Sequence, residues 1–189
     1  MKRAAQILLI VTFVMFSWLA MQAVHEVGHV LVARLTGGEV LKVALHPLIV
    51  SRTDLGENPH PLAVVWGGPL VGSIFPLLLY ALAAACRLSG VYMFRFFAGF
   101  CLVANGVYIG IGWALADGAD PSVMTENGSP RWLLVLFGLL AAPLGLYLWH
   151  RQGSHFGLAG ASNVSIRAAL ISAALFLALA GAEMIRNVR

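Results

Sequence analysis

Charge is scarce in this chain. Only 11% of its 189 residues are Asp, Glu, Lys or Arg, against roughly 25% in a soluble domain. The scarcity excludes a conventional water-soluble fold of this size. The few cations are scattered along the chain, so the formal net charge of +4 reflects no basic cluster able to track phosphates, and nucleic acid is not an expected partner. Two cysteines, Cys86 and Cys101, lie in apolar runs and cannot build a disulfide framework. No low-complexity tract, clear internal repeat or polar domain interrupts the sequence.

What the chain has instead is apolar length. Hydrophobic residues make up 60% of it, and the mean hydropathy is strongly positive. Five apolar segments follow one another: about Ile7 to Ala33, Pro61 to Cys86, Phe96 to Ala116, Trp132 to Trp149 and Ala168 to Ala182. A membrane-spanning helix needs about 20 such residues. The expected fold is therefore an all-α, multi-pass integral membrane protein of about five spans, forming one domain over 1–189. The beginning, MKRAAQILLIVTFVMFSWLAMQA, has the basic start and small residues of a secretory signal peptide. The apolar pattern continues unbroken through Val24, Val27, Val30, Leu31 and Val32, however, which favours an uncleaved helix.

That first helix carries the most expensive residues in the chain. His25, Glu26 and His29 form a His-Glu-x-x-His motif in a segment otherwise suited to lipid, where ionisable groups usually mark function. Histidines at i and i+4 share one helical face and can bind a single Zn²⁺, while the adjoining glutamate can take a proton from a metal-bound water. Zinc brings the pKa of that water towards neutrality and polarises a substrate carbonyl. A catalytic zinc normally has three protein ligands. The first and third segments cross in the same direction, so Asp117, at the later end of the third, approaches the same side as the motif. It is the favoured third ligand, with room for helix approach at Gly118. Asp120, in good turn chemistry before Pro121, is the alternative, and its place before a proline suggests a carboxylate turned out to water. His46, His60, His150 and His155 are read as polar residues of connectors rather than ligands.

The connector Glu39 to Asp54 follows Gly37-Gly38, a good helix stop. Its β-branched and apolar residues flank a break at His46-Pro47, which reads as two short strands joined by a turn. Gly68 and Gly72 form a small-xxx-small pair of the kind that packs helices.

These motifs resemble the site-2 protease family of intramembrane zinc metalloproteases, particularly its small members. The motif at His25, Glu26 and His29 matches that family's first core helix. Asp117-Gly118 is similar to its aspartate-glycine, and GGPLVGS (Gly67 to Ser73) to its glycine-proline stretch. The likeness spans roughly Ile7 to Pro121. This chain lacks the prolines usual before the aspartate-glycine and has Asn105 twelve residues before Asp117. The resemblance implies a three-helix catalytic core over about 7–121, accessory helices over about 131–186, and one Zn²⁺ per protomer. It further implies Glu26 as the general base and a membrane-protein substrate with a transmembrane helix, cleaved in a lipid bilayer, here a bacterial cell membrane. It gives the hairpin, Val40 to Arg52, a role in pairing with an unwound substrate, with Val40, Leu41, Val43 and Asn105 as candidate substrate-binding residues. Two other classes stay open: a metal-binding scaffold without hydrolytic activity, and another membrane metalloprotease with a glutamate as third ligand. Lys and Arg divide six and six between the two sides, leaving orientation undetermined.

Overall fold

The computed structural model describes residues 2–114, 118–158 and 164–187. It is a helical bundle: α1 (Lys2–Leu35), α2 (Pro61–Ala85), α3 (Val91–Gly112), α4 (Asp120–Glu126), α5 (Arg131–Trp149) and α6 (Ile166–Asn187), with β1 (Val40–Ala44), β2 (Arg52–Leu55) and a 3₁₀ turn at Gly153–Phe156. Five of the helices, all but α4, are long and apolar enough to cross a membrane. Their outward faces carry Ile7, Val11, Leu78, Leu139 and Leu177, each more than half exposed. That arrangement is compatible with a multi-pass membrane protein.

Small residues let the helices approach. The carbonyl of Gly67 on α2 lies where a Cβ on Gly28 of α1 would have to go, and Gly68 Cα is 2.9 Å from that position. Along the α3–α5 seam, Gly99 meets Gly145, Gly106 meets Ala142, and Gly110 meets Gly138. Where apolar surroundings offer no hydrophobic drive for association, such backbone contact supplies it through van der Waals packing. Polar pairs fix the register elsewhere. Thr12 Oγ1 and Ser172 Oγ share a hydrogen bond of 2.7 Å, linking α1 to α6. Gln6 Nε2 donates to the carbonyls of Phe156 and Gly157. One buried apolar cluster, around Leu9, Phe13, Phe97, Cys101 and Phe156, packs α1 against α3 and the 3₁₀ turn.

Helix α1 stops as its glycines suggest. Gly37 takes φ of 82°, and the Gly38 N–H donates to Ala33 O at 2.7 Å, a Schellman closure. The antiparallel hairpin follows, pairing Val40 with Leu55, Lys42 with Asp54, Val43 with Thr53 and Ala44 with Arg52, with an irregularity between Val40 and Lys42. Its second strand begins at Arg52, not directly after His46-Pro47. Proline cannot donate to a ladder, and Leu48, Ile49 and Val50 form an exposed loop tip instead.

The third span also departs from the sequence reading. It starts at Val91, earlier than Phe96, and ends at Gly112, short of Ala116. The chain then enters α4, an element the periodicity does not reveal in so short a stretch. Pro121 sits in the first turn of α4, where its fixed φ suits helix initiation.

Candidate metal centre

His25 and His29 are buried on the face of α1 turned towards α2 and α3. Their rings stand 4.8 Å apart, centroid to centroid, nearly edge to face. Each Nδ1 meets an oxygen from a neighbouring helix: Asn105 Oδ1 on α3 lies 2.7 Å from His25 Nδ1, and the Val64 carbonyl on α2 lies 2.8 Å from His29 Nδ1. Asn105 Nδ2 donates to Cys101 O at 2.9 Å, which leaves the amide oxygen for His25. A carbonyl only accepts, so both imidazoles carry their proton on Nδ1 and donate it. Both Nε2 atoms then present lone pairs inward.

The carboxylate they face belongs to Asp120. Its Oδ2 is 2.8 Å from His25 Nε2 and 3.3 Å from His29 Nε2. Asp117 lies outside the described residues. Contrary to the expectation that its proline neighbour would turn it to water, Asp120 begins α4 and directs its carboxylate back into the bundle, leaving the side chain 25% exposed. Burial by itself would raise the Asp120 carboxyl, but wherever His25 and His29 gain a second proton on Nε2 their hydrogen bonds and charge outweigh it and hold the group well below the usual carboxylate range.

Two imidazole lone pairs and a carboxylate oxygen repel one another unless positive charge lies among them, as added protons or a metal cation. Two observations fit the metal. The three ligand atoms lie within 4.8 Å of one another, and zinc with nitrogen and oxygen ligands at about 2.0–2.2 Å spaces them by roughly 3.3 Å at a tetrahedral angle. The second concerns Gly68. A Cβ built there would fall 2.6 Å from His25 Nε2 and closer still to His29 Nε2. Glycine thus keeps clear the space both nitrogens face. His25, His29 and Asp120 form a donor set suited to zinc, with Asn105 and the Val64 carbonyl orienting the rings.

Glu26, also buried, points to the hairpin. Ser51 Oγ donates to Oε1 at 2.7 Å and Thr53 Oγ1 to Oε2 at 2.6 Å. One turn earlier, Gln22 Oε1 accepts the Ser51 backbone N–H at 2.7 Å. The hairpin is therefore fastened to the motif helix by three hydrogen bonds. Tyr108 of α3 completes the surround: its hydroxyl accepts the Asp120 N–H at 3.2 Å, and its ring stands edge-on to His25, centroids 6.1 Å apart.

Among the residues named from sequence, the structure gathers His25, Glu26, His29 and Asn105 in one place. Asn105 is engaged with His25 and Cys101 rather than facing an open groove. Val40, Leu41 and Val43 lie on β1, whose partner β2 carries Thr53 to Glu26. Gly68 and Gly72 do more than pack helices: Gly68 faces the histidines, and a Cβ on Gly72 would lie 3.0 Å from Asn105 Nδ2. Sequence reasoning missed Gln22, Ser51, Thr53 and Tyr108. Gln22 had a signal, being a polar residue one turn before Glu26 in an apolar helix. The other three had none, since only tertiary contact brings them near.

No protein-family model, curated protein or solved structure matches this chain.

Proposed function

We propose that the chain is a multi-pass membrane zinc endopeptidase of the site-2 protease kind, hydrolysing a peptide bond within or beside a transmembrane segment of a membrane protein. The observation that carries this reading is the convergence of His25 Nε2 and His29 Nε2 from α1, the helix that holds Glu26, with Asp120 Oδ2 from α4 on one point. His25, His29 and Asp120 hold the metal. Bound zinc supplies Lewis acidity, which acidifies water and polarises a peptide carbonyl. Glu26 accepts the proton of the attacking water and returns it to the departing amide nitrogen. Ser51 and Thr53 aim its carboxylate, and α2 and α3 shield the site from bulk water. The hairpin offers a strand edge for an unwound substrate segment, pairing through β1 beside Val40, Leu41 and Val43.

One observation favours a second reading, a metal-binding membrane scaffold without hydrolytic activity: both Glu26 oxygens already accept hydroxyl hydrogen bonds. Substitution of Glu26 by Gln separates the two. Purified protein in liposomes is given single-pass membrane segments, and zinc content and cleavage are measured together. The peptidase reading expects Glu26→Gln to retain zinc and lose at least 10²–10⁴-fold in rate, the contribution of a general base. Equal cleavage by wild type and variant rules out the mechanism, and zinc binding without cleavage by wild type supports the scaffold.

A further inference from the structure

Arg87 and Arg151 adopt left-handed backbone conformations, with φ of 52° and 60°. Each lies two residues past the end of a helix, after Ala85 of α2 and Trp149 of α5, where the chain reverses and glycine is the usual occupant. At the other left-handed positions among the described residues, Gly37, Gly118, Gly128 and Gly157, glycine is what the chain uses. The side chains of Arg87 and Arg151 are not needed to close their helices. The Arg87 and Leu88 N–H groups bond back to Ala84 O and Ala83 O, and the His150 N–H to Leu146 O. Both residues are exposed, and neither guanidinium has a hydrogen-bond or ion-pair partner among the described residues. Backbone strain retained at two exposed positions is a reason to look for function.

Both arginines lie at the same end of the bundle, opposite the metal centre. Lys2 and Arg3 at the start of α1, Arg95 in the first turns of α3 and Arg167 at the start of α6 belong to that end as well. The hydrogen bonds from Gln6 to Gly157 and from Arg95 to His150 O, with Tyr92 stacked on His155, tie these segments together. No acidic residue occurs in 1–25, 58–116 or 127–182, the stretches that supply this end. It carries six Lys and Arg and no carboxylate, whereas all eight acidic residues lie elsewhere in the chain. Arg87 and Arg151, with no ion-pair partner among the described residues, have to find counter-charges outside.

We propose that this end binds the phosphate groups of anionic phospholipids in the leaflet it faces, with Arg87 and Arg151 as the principal contacts. A guanidinium fork matches phosphate oxygens in pairs. Free phosphate offers the same chemistry, but the surface beside the arginines is apolar: Leu82, Tyr147, Leu158 and Leu170 are each 60–74% exposed, which suits acyl chains. The proposal rests on the membrane-spanning reading and on nothing about zinc or peptide hydrolysis.

The test uses the full chain in nanodiscs, comparing retention of phosphatidylglycerol and phosphatidylcholine by native mass spectrometry. The variant is Arg87→Gly with Arg151→Gly, which removes both charges at positions where glycine is at ease, so folding is not threatened. Wild type should prefer phosphatidylglycerol. That preference should fall about fivefold per arginine, roughly twenty-five-fold in the double variant. Lys42→Ala, at an exposed site on the hairpin, should behave as wild type, and millimolar inorganic phosphate should not displace the lipid. No lipid preference in wild type, an undiminished preference in the double variant, an equal loss in Lys42→Ala, or displacement by inorganic phosphate each overturns the proposal. An alkaline wash separates it from its premise: a chain released from membranes refutes the spanning reading itself, whereas one that stays without lipid preference refutes the lipid site alone.

Discussion

Replacing Gly68 by alanine adds one methyl group in the middle of α2. The Cβ would stand 2.6 Å from His25 Nε2 and closer to His29 Nε2, where ordinary van der Waals contact begins at 3.4 Å. Relief therefore demands a displacement of 3.4 − 2.6 = 0.8 Å at His25 alone, and more at His29. Retreat of α2 from α1 would give up the close backbone packing of Gly67, one residue before, on Gly28. The rings cannot turn freely either, since each Nδ1 is held by Asn105 or Val64. Metal ligands tolerate about ±0.2 Å, so a shift several times larger breaks the coordination. The methyl also takes up space the ion needs. Gly68→Ala should therefore lower zinc affinity by at least the 10–100-fold typical of losing one outer-shell contact, while the bundle remains folded. Zinc per protomer, measured by elemental analysis beside far-ultraviolet circular dichroism and gel filtration, reads both outcomes. Gly181→Ala is the control: a Cβ there meets nothing within 4 Å, so zinc content should not change and α6 should gain up to about 1 kcal/mol of helix propensity. A folded Gly68→Ala protein with full zinc would show that the space between the two imidazoles is not where the metal sits.

Asp120→Asn removes the anionic member of the donor set and should empty the site, whereas Asp117→Asn should leave zinc near the wild-type level; zinc analysis of the pair, with the reverse result, would move the third ligand to Asp117. Asn105→Leu keeps the side-chain volume but deletes the acceptor that sets the His25 tautomer, and should weaken zinc binding about 10–100-fold, measured by competition with a chelator; unchanged affinity would deny Asn105 that orienting role. Ser51→Ala with Thr53→Val removes two hydrogen bonds to a carboxylate, each worth about 1.5–3 kcal/mol. Amide exchange across Ser51–Leu55 should then quicken at least tenfold by mass spectrometry, and an unchanged rate would mean the hairpin is held by other contacts.

Five long apolar helices, and a His-Glu-x-x-His motif confined to one of them, were legible in the sequence alone. Uninterrupted apolar runs between polar connectors encode spans locally, and a motif confined to one helix has its geometry fixed by the 3.6-residue repeat. His25, Glu26 and His29 needed nothing else to be placed on one side of α1. The stop at Gly37 was legible for the same reason, since a left-handed residue after a helix is a local requirement. The third carboxylate was not. Asp117 and Asp120 are three residues apart in a turn-forming stretch, and local rules set Asp120 facing water before its proline. Tertiary contact reversed that: α4 forms against α2 and α3, its first N–H finds the Tyr108 hydroxyl, and the Asp120 carboxylate turns back to the two imidazoles. The roles of Gly68 and Gly72 were hidden likewise, because a missing Cβ matters only for what would collide with it. Ser51 and Thr53 reached Glu26 only because β2 starts at Arg52, beyond an apolar loop whose length no periodicity sets. Local backbone preference decides which elements exist. Which side chains meet between elements depends on packing across the bundle, and in this protein those meetings make the site.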